Sequence, residues 1–368
     1  MSQPAVTSRL PDLIALAEED SSEKRRTLLR ELTEHFFGGA TRTPAEDALY
    51  DVVLVKLADD MEAAVRAELS ARFANAPDAP HSLVRRLAND EAAVASAVLA
   101  ASPVLTDEDL LGVVRKHGQH HLRAVSARSS VSEAISDVIV ERGDDETLGT
   151  LLRNDGARLS RQASEAAVER AKANPALHEA TVSRASLPAD LLNDMYFVVE
   201  ARLRTQILEQ NARMDPALLE SALAAGRTRV ATDDGALPAD YAEASAYVGE
   251  LRAAGQLTPQ MLARFLRSGE RTGGRTAFLI ALAQMSDIDF HTARQIVERR
   301  ELDALAVICK AADLDRALFL TYAVVLLNDD GDAMAKAHAY ARMYAELTRE
   351  AALRTLRFWR MRRGAAAA

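Results

Sequence analysis

Helix starts recur along this chain at a nearly constant step, and that spacing limits its fold more than any other feature. Capping residues and prolines mark them: Pro80, Thr106, Ser132, Ser160, Pro188 and Pro216 follow one another at steps of 26, 26, 28, 28 and 28 residues. A polar side chain ahead of a helix accepts from the free N–H groups of the first turn. Proline is tolerated at the first helical position because no N–H there needs a partner. The expected core positions keep step, with Leu87, Val113 and Ile139 each 26 residues apart. A unit of this length holds two short helices and two turns, such as 91–100 followed by 107–116. One pair has no means of burying its own apolar stripe, so successive pairs must stack. The expected fold is therefore all-α, an α-solenoid of stacked antiparallel helix pairs of HEAT-like kind.

The pattern resumes downstream in LTPQMLARFL, SDIDFHTARQIV and ADLDRALFLTYAV, with starts placed at Thr258-Pro259, Ser286-Asp287 and Ala312-Asp313. Between the arrays, 228–256 breaks the period with TDDGALPAD and a helix around 241–253, marking an irregular hinge. The organisation that follows is a helical cap over 1–40, a repeat array over 41–227, the hinge over 228–256, a second array over 257–345, and a basic helix and tail over 346–368. The cap would hold helices near 11–18 and 22–37, stopped by Gly38-Gly39. Just past it, Thr43-Pro44 followed by Glu46 reads as a capping box.

Composition agrees with helices. Alanine and leucine are abundant and aromatics make up 5% of the chain, which leaves few of the residues that favour strands. The single cysteine, Cys309, excludes an internal disulfide and any multi-cysteine metal site. A formal charge of −9 argues against a general nucleic-acid coat, which would need a basic face to displace counterions from phosphates. That charge is uneven: 349–363 carries +5, leaving −14 on the body. The first residues lack a basic stretch followed by a long apolar core, and nowhere do 18 apolar residues run together, so a cytoplasmic protein is expected.

The run NAPDAPHSLVRRLANDEAAVASAVLAASPVLTDEDLLGVV, with the later AVSARSSVSEAISDVIVERGDDETLGTLLRN, resembles the bacterial, mostly alphaproteobacterial family labelled domain of unknown function 2336. The likeness covers about Arg9 to Asn211 and is fainter beyond. It implies a HEAT-like helical-repeat protein, carries no agreed activity and transfers no residue roles.

Chemical motifs are weak. GERTGGRT, 269–276, has phosphate-loop spacing, but Arg275 stands where lysine belongs and the segment ahead reads as a helix rather than a strand. The plain reading is a helix C-cap glycine, a tight turn and the start of a helix over 275–285; weak anion binding by Arg267, Arg271, Arg275 and Thr276 is the functional alternative, although Gly269, Gly273 and Gly274 interrupt the helix that would align the arginines. His117, His120 and His121 in KHGQHH have zinc-like spacing without a fourth ligand, and the reading preferred over metal binding is polar histidines facing water in an inter-helix turn. Asp287, Asp289 and His291 could form a carboxylate–histidine cluster, but Asp313 and Asp315 repeat the acids one unit later, as helix-start acids would. Cys309 lies on an apolar stripe and is expected to be buried and inert. Neither a nucleophile elbow nor a dinucleotide fingerprint occurs. In the tail, Arg354, Arg357, Trp359, Arg360, Arg362 and Arg363 suit either an interfacial helix on an anionic membrane or a last helix whose arginines cover the end of the core.

The reading that follows is a non-enzymatic scaffold or adaptor, without metal or cofactor, binding a protein partner on a curved surface. A basic partner segment would suit the acidic body. Two alternatives remain: a sensor of a small anion or nucleotide near 267–276, and a peripheral membrane protein attached through its basic C-terminal helix.

Overall fold

The computed structural model describes residues 22–38, 43–59, 61–227, 237–268, 274–326 and 333–366, and these are all-helical. Among the described residues there is no strand, and one isolated parallel bridge joins Val131 to Ala157. Contacts divide the chain into two compact units, Met1–Ser186 and Leu187–Ala368.

Unit 1 holds α1 (Ser22–Phe37), α2 (Pro44–Asp59), α3 (Ala63–Phe73), α4 (His81–Ala88), α5 (Ala92–Ala101), α6 (Asp107–Lys116), α7 (Gln119–Ser126), α8 (Glu133–Arg142), α9 (Asp145–Arg153), α10 (Arg161–Ala173) and α11 (His178–Val182). Pro80, Thr106, Ser132 and Ser160 are the N-cap residues of α4, α6, α8 and α10, as their spacing requires. Thr106 builds a capping box, its hydroxyl accepting from Asp109 N at 3.2 Å while the Asp109 carboxylate accepts from Thr106 N at 3.0 Å. The Thr43–Glu46 box forms in the same way ahead of α2. Pro80 has no oxygen on its side chain, so Asp51 of α2 caps α4 instead, accepting from Ser82 N at 3.3 Å and Leu83 N at 2.9 Å.

Helices two apart in sequence pack on one another. In one row α3 meets α5, α5 meets α7, α7 meets α9 and α9 meets α11. In the other α2 meets α4, α6 meets α8 and α8 meets α10, while sequence neighbours such as α4 and α5 join the rows. Leu87, Val113 and Ile139 are buried between them, with Val98, Leu122 and Leu148. Each such side chain contributes about 1.5–3 kcal/mol on leaving water.

Unit 2 holds α12 (Ala189–Asp194), α13 (Ala201–Arg213), α14 (Pro216–Arg227), α15 (Tyr241–Ala253), α16 (Pro259–Ser268), α17 (Gly274–Ser286), α18 (Phe290–Glu298), α19 (Leu302–Ala311), α20 (Arg316–Leu326), α21 (Ala333–Glu346) and α22 (Arg349–Ala366). Helices α17 and α19 are apolar nearly all round and buried along most of their length, as such helices must be. Packing here is not confined to near neighbours: α22 lies against α19, α13 and α14. Instead of an ordered array over 257–345 followed by a separate tail, α22 closes the unit on 201–227. The compact units also part at Ser186, ahead of the segment 228–256 in which the broken period placed a hinge. Within that segment α15 forms where expected, whereas 228–236 lies outside the described residues, as do the cap helix near 11–18 and Gly39.

Two downstream helix starts shift as well. Asp287 and Asp313 adopt φ of 58° and end α17 and α19 rather than opening the next helices. The N–H groups of Ile288 and Leu314 then reach back to Ala283 O at 3.1 Å and Cys309 O at 2.9 Å, a Schellman closure. The following acids are the caps, Asp289 accepting from Thr292 N at 2.7 Å and Asp315 from Leu318 N at 2.8 Å. Gly255 and Arg300, also at positive φ, close α15 and α18 in the same manner through Gln256 N to Leu251 O and Glu301 N to Ile296 O.

Candidate functional site

Unit 1 turns an acidic face outward along one row. Glu133, Asp137 and Glu141 stand on successive turns of α8, exposed, with Asp107 and Glu108 on α6 and Glu169 on α10. Part of this charge is compensated, since Glu165 pairs with Arg161 and Glu169 with Lys172, each at 2.7 Å. In the other row α5 exposes Ala93 and Ser96 and carries no charged residue.

What fixes these faces is a ladder of side chains that cap helix C-termini. The last carbonyls of a helix have no partner within it, and a cation there also meets the negative end of the helix dipole. Arg142 at the end of α8 donates to Val114 O and His117 O of α6. Arg170 in α10 donates to Val140 O at 3.1 Å and Gly143 O at 2.9 Å. In the other row Arg128 serves Leu99 O and Ser102 O, Asn154 serves Ser126 O and Arg128 O, and Arg184 serves the carbonyls of Leu151, Leu152, Asn154 and Ala157. Each capping side chain comes from the next helix of the same row or from the turn that follows it, so it sets the register of successive helices. Arg128, Asn154 and Arg184 recur at 26 and 30 residues, and Arg142 and Arg170 at 28, a periodic signal the sequence carries in its polar positions.

The motifs singled out from sequence are mostly accounted for by local structure. Arg267 is exposed at the end of α16, Arg271 lies outside the described residues, and Arg275 is half-buried at the start of α17. The two described arginines therefore stand on different helices. Thr276 donates its hydroxyl to the Asp240 carboxylate at 2.9 Å, which puts negative charge beside the proposed anion position. His117 and His121 stack with ring centroids 4.3 Å apart and turn toward Asn89 Oδ1 and Asp90 O at the end of α4, while His120 is exposed. Burial, the neighbouring His121 and Lys116 push His117 below the usual histidine range. Asp289 spends its carboxylate on the first turn of α18, and among the described residues no group of three His, Cys, Asp or Glu has metal-binding geometry. Cys309 is fully buried, and burial raises its thiol pKa.

Four tail residues are engaged with other parts of unit 2. Trp359 is 2% exposed and packs on Tyr196 and Phe197, with ring centroids 5.1 Å from each. Arg354 caps α13 through Asn211 O, Ala212 O and Met214 O, Arg360 caps α17 through Ser286 O, and Arg357 pairs with Glu220. The side chains of Arg362 and Arg363 are outside the described set.

One constellation carries no sequence signal, because its members come from segments about a hundred residues apart. Arg204 of α13 donates from Nη1 to both carboxylate oxygens of Asp303 of α19, each at 2.9 Å, and its Nη2 lies 3.7 Å from Glu301. Glu301 is 6% exposed, and burial pushes its carboxyl up to about 7, against the pull of Arg204 and Arg299 and with the push of Asp303. The Tyr196 hydroxyl, Glu301 Oε2 and Trp359 Nε1 are buried and find no hydrogen-bond partner among the described residues.

A family model described as an uncharacterised protein conserved in bacteria, domain of unknown function 2336 (DUF2336), matches residues 94–357, well over half of the chain. The match begins later than the likeness read from sequence and runs on through 212–357, where that likeness was fainter. Neither a curated protein nor a solved structure matches.

Proposed function

The chain belongs to this uncharacterised bacterial family, and we propose that it is a non-enzymatic helical-repeat scaffold whose unit 1 is a HEAT-like α-solenoid binding a protein partner. The supporting observation is the same-row packing of α3, α5, α7, α9 and α11 together with the capping ladder that joins successive repeats. Stacked pairs of this kind leave one face of every helix for recognition, and a register fixed by polar side chains keeps that face pre-organised.

The working face in this proposal is the acidic outer side of α6, α8 and α10, and the partner is a basic segment of a cytoplasmic protein. Among the described residues no helix is long and apolar enough to cross a membrane. Burial of Trp359 weighs against a membrane role for α22, and the Thr276–Asp240 bond weighs against an anion site at 267–276. Affinity capture from the native host tests the reading. Partners held by the parent chain should be lost from Glu133→Lys/Glu141→Lys, and an unchanged set of bound proteins would remove this face from consideration.

A further inference from the structure

Unit 2 contains a buried charge cluster that the scaffold reading does not use. Its centre is Arg204, whose three donor nitrogens point three ways. Nε donates to Val199 O at 2.9 Å, Nη1 holds both oxygens of Asp303 at 2.9 Å, and Nη2 faces Glu301 Oε1 at 3.7 Å. Arg299, which ends α18, donates from Nη1 to Phe197 O at 3.2 Å. The two arginines thus pin the short turn between α12 and α13 at Phe197 and Val199. That turn carries Tyr196 and Phe197, the two rings on which Trp359 rests.

With Glu301 neutral, Arg204 and Asp303 cancel within the buried site. Ionised Glu301 adds a second carboxylate to the same guanidinium, its other cation Arg299 is exposed to solvent, and burial disfavours the added charge. The groups that act on Glu301, the N-cap of α19, are Arg204 from α13, Asp303 in the first turn of α19 and Arg299 at the end of α18, while the buried Tyr196 hydroxyl faces Asp303, Arg204 and Glu301. From α22, Arg354, Arg357 and Arg360 are engaged at Met214, Glu220 and Ser286, and from α19 itself Lys310 is engaged at Tyr344.

We propose that Glu301 is a proton-operated latch: protonated, it leaves Arg204 to hold Asp303 and Val199 together, and on ionising it draws Arg204 away and loosens the turn that seats Trp359. Relief of the extra charge requires Arg204 to turn toward Glu301 or water to enter, and either movement weakens the Nε bond to Val199 O.

Trp359 is the chain's single tryptophan, so its emission reports the seat directly. The expected result is a sigmoidal change in the emission of the full chain with a midpoint near pH 7, absent from Glu301→Gln, which keeps the low-pH spectrum throughout. A flat wild-type signal between about pH 5.5 and 8.5, or an unchanged titration in Glu301→Gln, would overturn the proposal. Should Glu301→Gln fail to fold, the wild-type urea midpoint decides. The folded state holds the Glu301 proton above the ordinary 4.5, so stability must fall as pH rises from there to about 7 and then level. Histidines with depressed folded pKa values contribute with the opposite sign. A midpoint for unit 2 that rises or stays level across that window excludes the latch.

Discussion

Arg184 is 3% exposed, and burial lowers its pKa with Asp155 as the carboxylate that partly offsets the effect. Its charge is accommodated by four carbonyls, those of Leu151, Leu152, Asn154 and Ala157, where α9 ends. Removing it takes the arginine donor from the Leu152 and Ala157 carbonyls, while Leu151 O and Asn154 O still accept from Asn154 N and Ala157 N, and an unpaired buried acceptor costs more than a hydrogen bond contributes. Arg184→Ala is expected to destabilise unit 1 by roughly 2–3 kcal/mol in urea titration. Arg184→Lys should rescue little, because one ammonium does not span the fork that Nη1 and Nη2 serve together. A loss under about 0.5 kcal/mol for the alanine variant would show the carbonyls turning to water instead. Apolar spacing finds the core residues Leu87, Val113 and Ile139 but says nothing of this ladder, because an arginine that caps a neighbour looks in sequence like one facing solvent.

At the level of helices, legibility divides by how far the partner lies along the chain. Starts of α4, α6, α8 and α10 are readable because a cap and its helix are adjacent, and unit 1 packs mainly between such close neighbours. Arg204, Glu301 and Asp303 are not readable, since nothing local in Arg299-Arg300-Glu301-Leu302-Asp303 announces a guanidinium arriving from α13. Asp287-Ile288-Asp289 and Asp313-Leu314-Asp315 lie between these cases: recurrence shows that they punctuate helices, but not which acid ends one and which begins the next. The difference is measurable. Asp313→Gly relieves a left-handed residue and should stabilise unit 2 by about 0.5–1 kcal/mol, its long exposed contact with Arg349 contributing little. Asp315→Ala removes a cap and should cost about 1 kcal/mol. Urea midpoints moving in the same direction for both variants would contradict these assignments.

Over the whole chain, the two units differ in how their contacts are distributed, and that difference governs how each opens. In unit 1 a helix touches mainly its sequence neighbours and the next helix of its row, so a local loss of packing is expected to remain local if the unit is the helical-repeat array proposed above. Unit 2 has no such linear order, because α22 bridges α12, α13, α14 and α19, helices far apart along the chain. Leu87→Ala opens a cavity in a fully buried site at a cost of about 2–5 kcal/mol, and Trp359→Ala removes an anchoring ring at about 3–5 kcal/mol. Their hydrogen-exchange patterns should diverge although the energies are similar. Leu87→Ala should speed exchange in α3 to α6 and leave α9 to α11 near parent rates, since only adjacent interfaces feel the cavity. Trp359→Ala should raise exchange across α12 to α14 and α17 to α22 together, as the release of a shared element requires. Uniform loss of protection throughout unit 1 in Leu87→Ala would mean that its helices form one cooperative core, and the repeat description of that unit would fail with it.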